Sequence, residues 1–198
     1  SREQWPGIGN MLKKYGGTFN GNGHTVTLPA GSASLINYAE EATVKDVIVK
    51  STGKITASES CGAGCVGGVV GHINGGTIEN CGNLASIKGG AAKSGWEHQA
   101  YVGGVAGYAR GVTIRNCWNG GAVEGNGANY IGGIVGYMLK KSNTEGAVYN
   151  CFNSGAITGD NSGGIAGRLD GSWIKDCSNS GTVSGKENVA GIVYHVSH

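Results

Sequence analysis

Cysteine is the residue type in this chain whose spacing points most directly to chemistry. Four of the six cysteines occupy the same place in a recurring x-Ile-x-Asn-Cys-x-Asn stretch: Cys81, Cys117, Cys151 and Cys177. If copies of this stretch stack as parallel strands, equivalent residues lie about 4.8 Å apart, a Cα separation that a disulfide accepts. Three interpretations stay open. They are a column of buried free thiols, disulfides between turns, which would indicate an oxidising compartment, and a zinc site, although a column spreads thiolates along an axis.

Acidic side chains do not gather in a pattern that predicts catalysis. A β-helix that cleaves polysaccharides needs carboxylates on one face, as a paired acid and base or as a calcium cluster. The only acidic neighbours are Glu40 and Glu41, whose side chains point apart in a strand or turn. Trp96, Glu97 and His98, on a Gly-rich stretch, are the best remaining trio and are kept as binding candidates. We assign no catalytic residue, no metal ligand and no cofactor.

Asparagine recurs two residues after each of the four cysteines. We interpret this position as a structural ladder, in which side-chain amides bond to one another and to the backbone along the stack. Its members are Asn83, Asn119, Asn153 and Asn179.

Aromatic residues recur at two further positions. Between Cys and Asn, Trp118 and Phe152 are expected to be exposed on adjacent turns as an apolar contact patch, unless residues 138–146 cover them. The other position follows the first strand of each copy. Its residues either stack at a turn or form a polar-aromatic track for a ligand, with Tyr108 and Tyr137 as binding candidates. It holds His72, Tyr108, Tyr137, Arg168 and His195.

All these positions belong to one internal repeat. Within it, apolar and polar residues alternate with a period of two, and glycine interrupts every run before a helix could form. A single copy cannot bury its apolar face, so the core forms only when copies stack. We predict an all-β fold, a right-handed parallel β-helix (solenoid) of about six turns with three short strands per turn. The copies begin at Val66, Val102, Ile131, Ser162 and Val189.

The domain organisation follows from the repeat. We expect a single β-helix domain over residues 1–198, with a lead-in and degenerate first turn in 1–65 and regular repeats in 66–198. The chain begins at Ser1 without Met, which suggests a segment of a larger protein. The last copy stops after one strand and would leave its end of the solenoid bare, which is a template for pairing, so we expect either more chain or another molecule to cover this end.

Composition excludes several functional classes. The net charge is +2 and basic residues do not cluster, so nucleic acid is not an expected partner. The apolar runs are too short to insert into a membrane. Glycine contributes 40 residues but without a three-residue period, which excludes collagen.

The N-terminal segment carries a recognisable combination of motifs. A Trp-Pro-x-Ile-Gly stretch precedes Phe-x-Gly-Asn-Gly-His-Thr-Val, formed by Trp5, Pro6, Ile8, Gly9, Phe19, Gly21, Asn22, Gly23, His24, Thr25 and Val26. Together with the later Gly-Gly-Ile-x-Gly-Tyr and Ile-x-Asn-Cys-x-Asn copies, this resembles bacterial GLUG-repeat proteins over nearly the whole chain. Pro6 directly after Trp5 departs from the family pattern. The resemblance implies a secreted or surface-attached bacterial β-helix and no catalytic residues.

These observations predict an extracellular or cell-surface structural and adhesive module. Its rod would present residues 89–100, residues 138–146 and the Trp118 and Phe152 face to a host glycan or protein. One alternative is a self-assembling extracellular fibre subunit that stacks through its solenoid ends. The other is a carbohydrate-active enzyme, either a lyase or a hydrolase.

Overall fold

The computed structural model describes residues 3–57, 64–91 and 99–197, and in these residues it contains strands and no helix. The first part of the chain forms β1 (Thr18–Leu28), β2 (Ile36–Ser51), β3 (Lys54–Thr56), β4 (Val70–Glu79), β5 (Gly82–Asn83) and β6 (Ser86–Lys88). The middle forms β7 (Tyr101–Gly103), β8 (Ala106–Arg115), β9 (Trp118–Asn119), β10 (Val123–Glu124), β11 (Tyr130–Gly132), β12 (Val135–Leu139), β13 (Gly146–Tyr149), β14 (Phe152–Asn153) and β15 (Ile157–Thr158). The last part forms β16 (Ser162–Gly163), β17 (Ala166–Asp170), β18 (Ser172–Lys175), β19 (Ser178–Asn179), β20 (Val183–Ser184), β21 (Val189–Ala190) and β22 (Val193–Ser197).

The strands form three sheets, and the pairs within them are parallel. One sheet has 13 strands, a second has five (β3, β6, β10, β15 and β20), and a third has four (β7, β11, β16 and β21). Within a sheet, neighbouring strands come from successive copies of the repeat, so the chain coils from sheet to sheet and rises by one strand per copy. This confirms the predicted all-β parallel β-helix.

The copies stack with equivalent residues in register. Ile114 pairs with Ile78 on one side and with Val148 on the other, and these three side chains are fully buried. A second buried line comes from the five-stranded sheet, where Ile87 and Ile157 flank Val123. Burying each of these side chains stabilises the fold by about 1.5 to 3 kcal/mol, but only because the next copy covers it.

The sequence did not predict one short strand in each of the copies that begin at Val102, Ile131, Ser162 and Val189. It placed the first strand after the Gly pair, whereas a short strand also precedes the pair, as in β7 and β11. These strands hold only two or three residues, too few for an alternation to be visible in the sequence. They matter because β7 and β11 begin with the aromatic residues Tyr101 and Tyr130.

The second glycine of each Gly pair faces the asparagine ladder. A Cβ atom at Gly104 would overlap the carbonyl oxygen of Gly133 and the amide of Asn119, and one at Gly133 would overlap Gly164 and Asn153 in the same way. Only glycine fits where two backbones and a buried amide approach so closely. The Gly pairs and the asparagines are therefore two sides of one packing arrangement.

The two ends of the coil differ. At the N-terminal end, β1 pairs with β2, and residues 3–33 cover the rest of the first turn through bridges such as Ile8 to Ile36. The register of the β1–β2 pair shifts between Asn20 and His24. At the other end, the described strands β18 to β22 each pair with the preceding copy. Large apolar side chains are exposed there, namely Trp173, Val189, Ile192 and Val196.

Candidate functional site

The asparagine ladder (Asn83, Asn119, Asn153 and Asn179) lies inside the coil. The Nδ2 atoms of Asn83, Asn119 and Asn153 each donate to the Oδ1 of the next asparagine, and all three of these hydrogen bonds are 2.7 Å long. Each Nδ2 also donates to the carbonyl oxygen two residues further along its own chain, at 2.8 to 2.9 Å. The polar atoms of this ladder are therefore occupied by the protein itself and are not available to a ligand.

A second, outer row of Asn and Asp marks the corner before each cysteine. These residues have φ between 51° and 53°, a left-handed conformation that Asn and Asp tolerate better than most residues. Neighbouring members also bond to one another, as in Asn116 Nδ2 to Asn80 Oδ1 at 3.2 Å. The corner conformation explains why the sequence repeats this residue type at Asn80, Asn116, Asn150 and Asp176.

The four cysteines form a column of free thiols. Cys81, Cys117 and Cys151 are buried, Cys177 is half-buried, and none is in a disulfide. Each Sγ bonds a carbonyl oxygen of the preceding copy, for example Cys117 to Ile78 at 3.6 Å. Burial, followed by the neighbouring thiols, raises the pKa of Cys117 well above its ordinary value. Of the three interpretations, the structure shows the column of free thiols, three of which are buried in the core as small apolar groups.

Aromatic rings line the outer surface of the 13-stranded sheet. We call this the ring column, made of Tyr38, His72, Tyr108, Tyr137, Arg168 and His195, which are consecutive partners in register. The His72 ring lies 4.1 Å from the Tyr38 ring and 4.4 Å from the Tyr108 ring, between centroids. Tyr108 meets Tyr137 edge-on at 5.7 Å. The structure thus brings together the predicted binding candidates Tyr108 and Tyr137.

Three further tyrosines enlarge this surface and were not predicted. Tyr38 extends the column at its N-terminal end. Tyr101 and Tyr130 stack on each other at 6.0 Å beside the column, and the Tyr101 ring lies 5.0 Å from the Tyr137 ring. A signal existed in the sequence, because Tyr101 and Tyr130 both stand directly before an apolar-Gly-Gly stretch.

Arg168 and Asp170 organise the C-terminal part of the ring column. Arg168 Nε donates to both oxygens of Asp170, at 2.8 and 3.0 Å, and its Nη1 donates to the Tyr130 hydroxyl at 2.7 Å. Tyr137 donates its hydroxyl hydrogen to Asp170 at 2.6 Å. Burial alone would raise the pKa of Asp170, but hydrogen bonds from Arg168, Ser197 and Tyr137 lower it. The guanidinium is thereby fixed over the tyrosine rings and its charge is neutralised by Asp170.

His72 is a strongly perturbed titratable group of this surface. Burial between its neighbouring rings, together with the positive charge of Lys14, lowers the pKa of His72 to about 4, while Glu40 opposes the shift. At neutral pH the imidazole is therefore uncharged and serves as an aromatic member of the column.

The aromatic position between Cys and Asn does not form the joint exposed patch of Trp118 and Phe152 that was predicted. Phe152 is exposed, but Trp118 is half-buried, and its indole lies over Gly82 of the preceding copy. The two residues are partners in register, yet Trp118 leans away from Phe152. The remaining binding candidates, Trp96, Glu97 and His98, lie outside the described residues.

Residues 138–146 fold back across the corner next to the ring column. Lys141 and Thr144 form a small antiparallel bridge, and the Lys141 side chain pairs with Glu41, three copies away. Lys141 also lies against Gly111. This segment therefore forms a wall beside the aromatic surface and does not cover Trp118 or Phe152.

A polar groove of about 620 Å³ lies elsewhere, where the chain leaves the five-stranded sheet. Glu124, Asp160 and Lys186 line it together with glycines and hydroxyl-bearing residues. Asp160 accepts hydrogen bonds from the amides of Lys186 and Glu187 and so joins its loop to the equivalent loop of the next copy. Because its lining offers no ring for a ligand to stack on, the groove is a weaker binding candidate than the ring column.

Comparison with protein-family models, with curated proteins and with solved structures found no match to this chain. No membrane-spanning helix is found in the described part of the chain. Nor do three or more His, Cys, Asp or Glu side chains converge as a metal site within residues 3–57, 64–91 and 99–197.

Proposed function

We propose that this chain is an extracellular structural and adhesive module that presents the ring column to a glycan or protein partner. The observation that carries the proposal is the row of half-buried rings in register along one face of the coil, flanked by Tyr101 and Tyr130. Aromatic faces with polar tips are the groups that proteins use for contact surfaces, because they bury apolar area and still offer hydrogen bonds.

The rigidity of the scaffold supports this role. The backbone of β8, which holds Tyr108, is paired on both sides, with β4 and with β12. The rings are therefore held in place before a partner arrives, so that little side-chain entropy is lost on binding. The extracellular location rests on the resemblance of the sequence to GLUG-repeat proteins.

The carboxylates nearest the ring column argue for binding rather than for cleavage. Glu40 pairs with Lys14 at 2.9 Å, Glu41 pairs with Lys141, and Asp170 pairs with Arg168. Charge-paired carboxylates that bond to neighbouring lysine or arginine are not poised to act as an acid and a base on a glycosidic bond.

The test is a glycan and host-protein binding array probed with the wild type and with Tyr108→Ala and Tyr137→Ala. We expect both variants to weaken binding by about tenfold or more, as is typical of buried aromatic anchors. Tyr149→Ala is the matched control, because Tyr149 is half-buried on another part of the sheet, where it stacks on Trp173 at 5.9 Å. Trp118→Ala separately tests the predicted Trp118 and Phe152 patch. Binding that neither Tyr108→Ala nor Tyr137→Ala weakens, with both variants folded, would contradict the proposal.

A second candidate, end-to-end association, is favoured by the exposed apolar side chains on β21 and β22 and the connection between them. Strand edges that continue a parallel ladder are templates for pairing with another chain. Particle mass measured by light scattering over a hundredfold range of concentration tests this candidate. We expect mass to increase with concentration, and Val196→Lys to prevent the increase. A wild type that stays monomeric throughout excludes the fibre function.

A further inference from the structure

We propose that the ligand of the ring column is an acidic glycan, a chain of pyranose rings bearing carboxylates, and that Arg110 is the residue that binds its negative charge. This inference rests on the proposed adhesive function and specifies the ligand class for the same surface.

The spacing of the rings suits a glycan. Successive members of the ring column come from adjacent parallel strands, which are separated by about 4.8 Å. This step is close to the length that one pyranose unit occupies along a polysaccharide. A glycan lying across the strands would therefore place successive sugar rings over successive side chains, from Tyr38 through His72 and Tyr108 to Tyr137. Because Tyr38, His72 and Tyr108 stack on one another, the glycan would meet the edges of these rings and the tyrosine hydroxyls, which can form hydrogen bonds with sugar hydroxyls.

Arg110 is an exposed cation beside this surface that has no acidic partner among the described residues. It is the next residue after Tyr108 to point to the same side of β8, and it is exposed. Its partners in register are Asn74 and Leu139, both uncharged. By contrast, Lys14, Lys141 and Arg168 each form an ion pair with a neighbouring carboxylate.

The position of the guanidinium also places it within reach of a ligand on the rings. Burial raises the pKa of Tyr108 to about 12, and the positive charge of Arg110 acts against that shift, so the two groups interact electrostatically. A guanidinium can donate two parallel hydrogen bonds to a carboxylate, which a lysine ammonium cannot do. The wall formed by residues 138–146 bounds the same area through its contact with Gly111, the residue after Arg110.

The experiment measures the binding of the intact chain to three uronate-bearing polysaccharides (alginate, polygalacturonate and hyaluronan) and to the carboxyl-reduced, neutral form of each. We expect at least one acidic form to bind, with its neutral form binding roughly tenfold more weakly, since one charge-assisted contact is lost per site. Arg110→Gln should produce a similar loss, and Arg110→Lys an intermediate one. Lys50→Gln is the control: it removes one exposed positive charge elsewhere on β2 and should leave binding unchanged.

The outcomes separate this inference from the function on which it rests. Equal binding of acidic and neutral forms, or full binding by folded Arg110→Gln, overturns the acidic-glycan assignment and leaves the adhesive function in place. If Tyr108→Ala loses binding and Arg110→Gln does not, the acidic-glycan assignment is also overturned and the adhesive function again stays in place. If no polysaccharide of either form binds, the acidic-glycan inference is wrong, and the adhesive function is then decided by the host-protein arm of the array.

Discussion

The middle copies of the repeat and its last described copy carry similar residues at equivalent positions, yet their environments differ completely. Leu169 is 1% exposed, whereas its partner in register, Val196, is 51% exposed. Ile165 is fully buried, and Ile192, one copy further along, is 39% exposed. The difference teaches that burial in this fold is a property of the interface between copies and not of any residue type. Substitutions made in pairs, one inside and one at the end, test this directly.

Substitutions in the asparagine ladder should give the largest difference in the free energy of unfolding between a middle copy and the last copy. Asn119→Ala removes hydrogen bonds to Asn83, Asn153 and the backbone of Gly121, and leaves buried amide groups unsatisfied. We expect a loss of about 4 kcal/mol in the free energy of unfolding, measured by urea denaturation. Asn179→Ala, at the half-buried last member of the ladder, should cost about 1 kcal/mol. Equal losses would show that the ladder is not strengthened by having a neighbour on both sides.

Substitutions in the apolar core should give the second-largest difference in stability between the two regions. Leu169→Ala leaves a cavity beneath a covering copy and should cost about 3 kcal/mol. Val196→Ala, at the equivalent position of the last copy, should cost less than about 0.5 kcal/mol, because its side chain is already largely in water. Thermal unfolding followed by circular dichroism measures both. A large effect of Val196→Ala would mean that this end is covered in solution, as end-to-end association requires.

The same comparison between an inner copy and the last copy can be made by adding a methyl group at a glycine. Gly133→Ala would force a methyl group into the Gly164 carbonyl and the Asn153 side chain, and should cost about 2 kcal/mol. At Gly191 an added Cβ meets no atom within 4 Å, so Gly191→Ala should be nearly neutral. Urea denaturation of the two variants checks this pair. A stable Gly133→Ala protein would contradict the close approach of the two backbones.

The ring column predicts a smaller, pH-dependent effect. His72 has a ring on either side, whereas His195, in the same column, is exposed. Because folding lowers the pKa of His72 from 6.5 to about 4, the unfolded chain binds a proton at pH values where the folded chain does not. Stability from this group is therefore complete above pH 6.5 and is lost as the pH falls towards 4.

Between pH 7 and pH 5 we expect a loss of about 1 to 2 kcal/mol in the free energy of unfolding. Urea titrations at several pH values measure the loss, and His72→Gln should reduce it by the same amount. Identical pH profiles for the wild type and His72→Gln would show that the imidazole is not held uncharged by its surroundings.

Much of this arrangement was predictable from residue spacing. The equal positions of Asn83, Asn119 and Asn153 predict a ladder, and those of Tyr108 and Tyr137 predict an aromatic track, because a parallel stack places equivalent residues side by side. Spacing could not show that Trp118 leans over Gly82 instead of towards Phe152. The direction of a side chain depends on the space left by the copies above and below it.

The sequence by itself determined the repeat, the period-two alternation and therefore the parallel β-helix, since these depend only on which residues recur and at what distance. The tertiary structure alone decided which atoms meet across the coil. It set the Gly pairs against the asparagine ladder, joined Tyr101 and Tyr130 to the ring column, and left Arg110 without an acidic partner in the part of the chain that the structure describes. Those contacts join residues from different strands and different copies, and their geometry exists only once the copies are stacked.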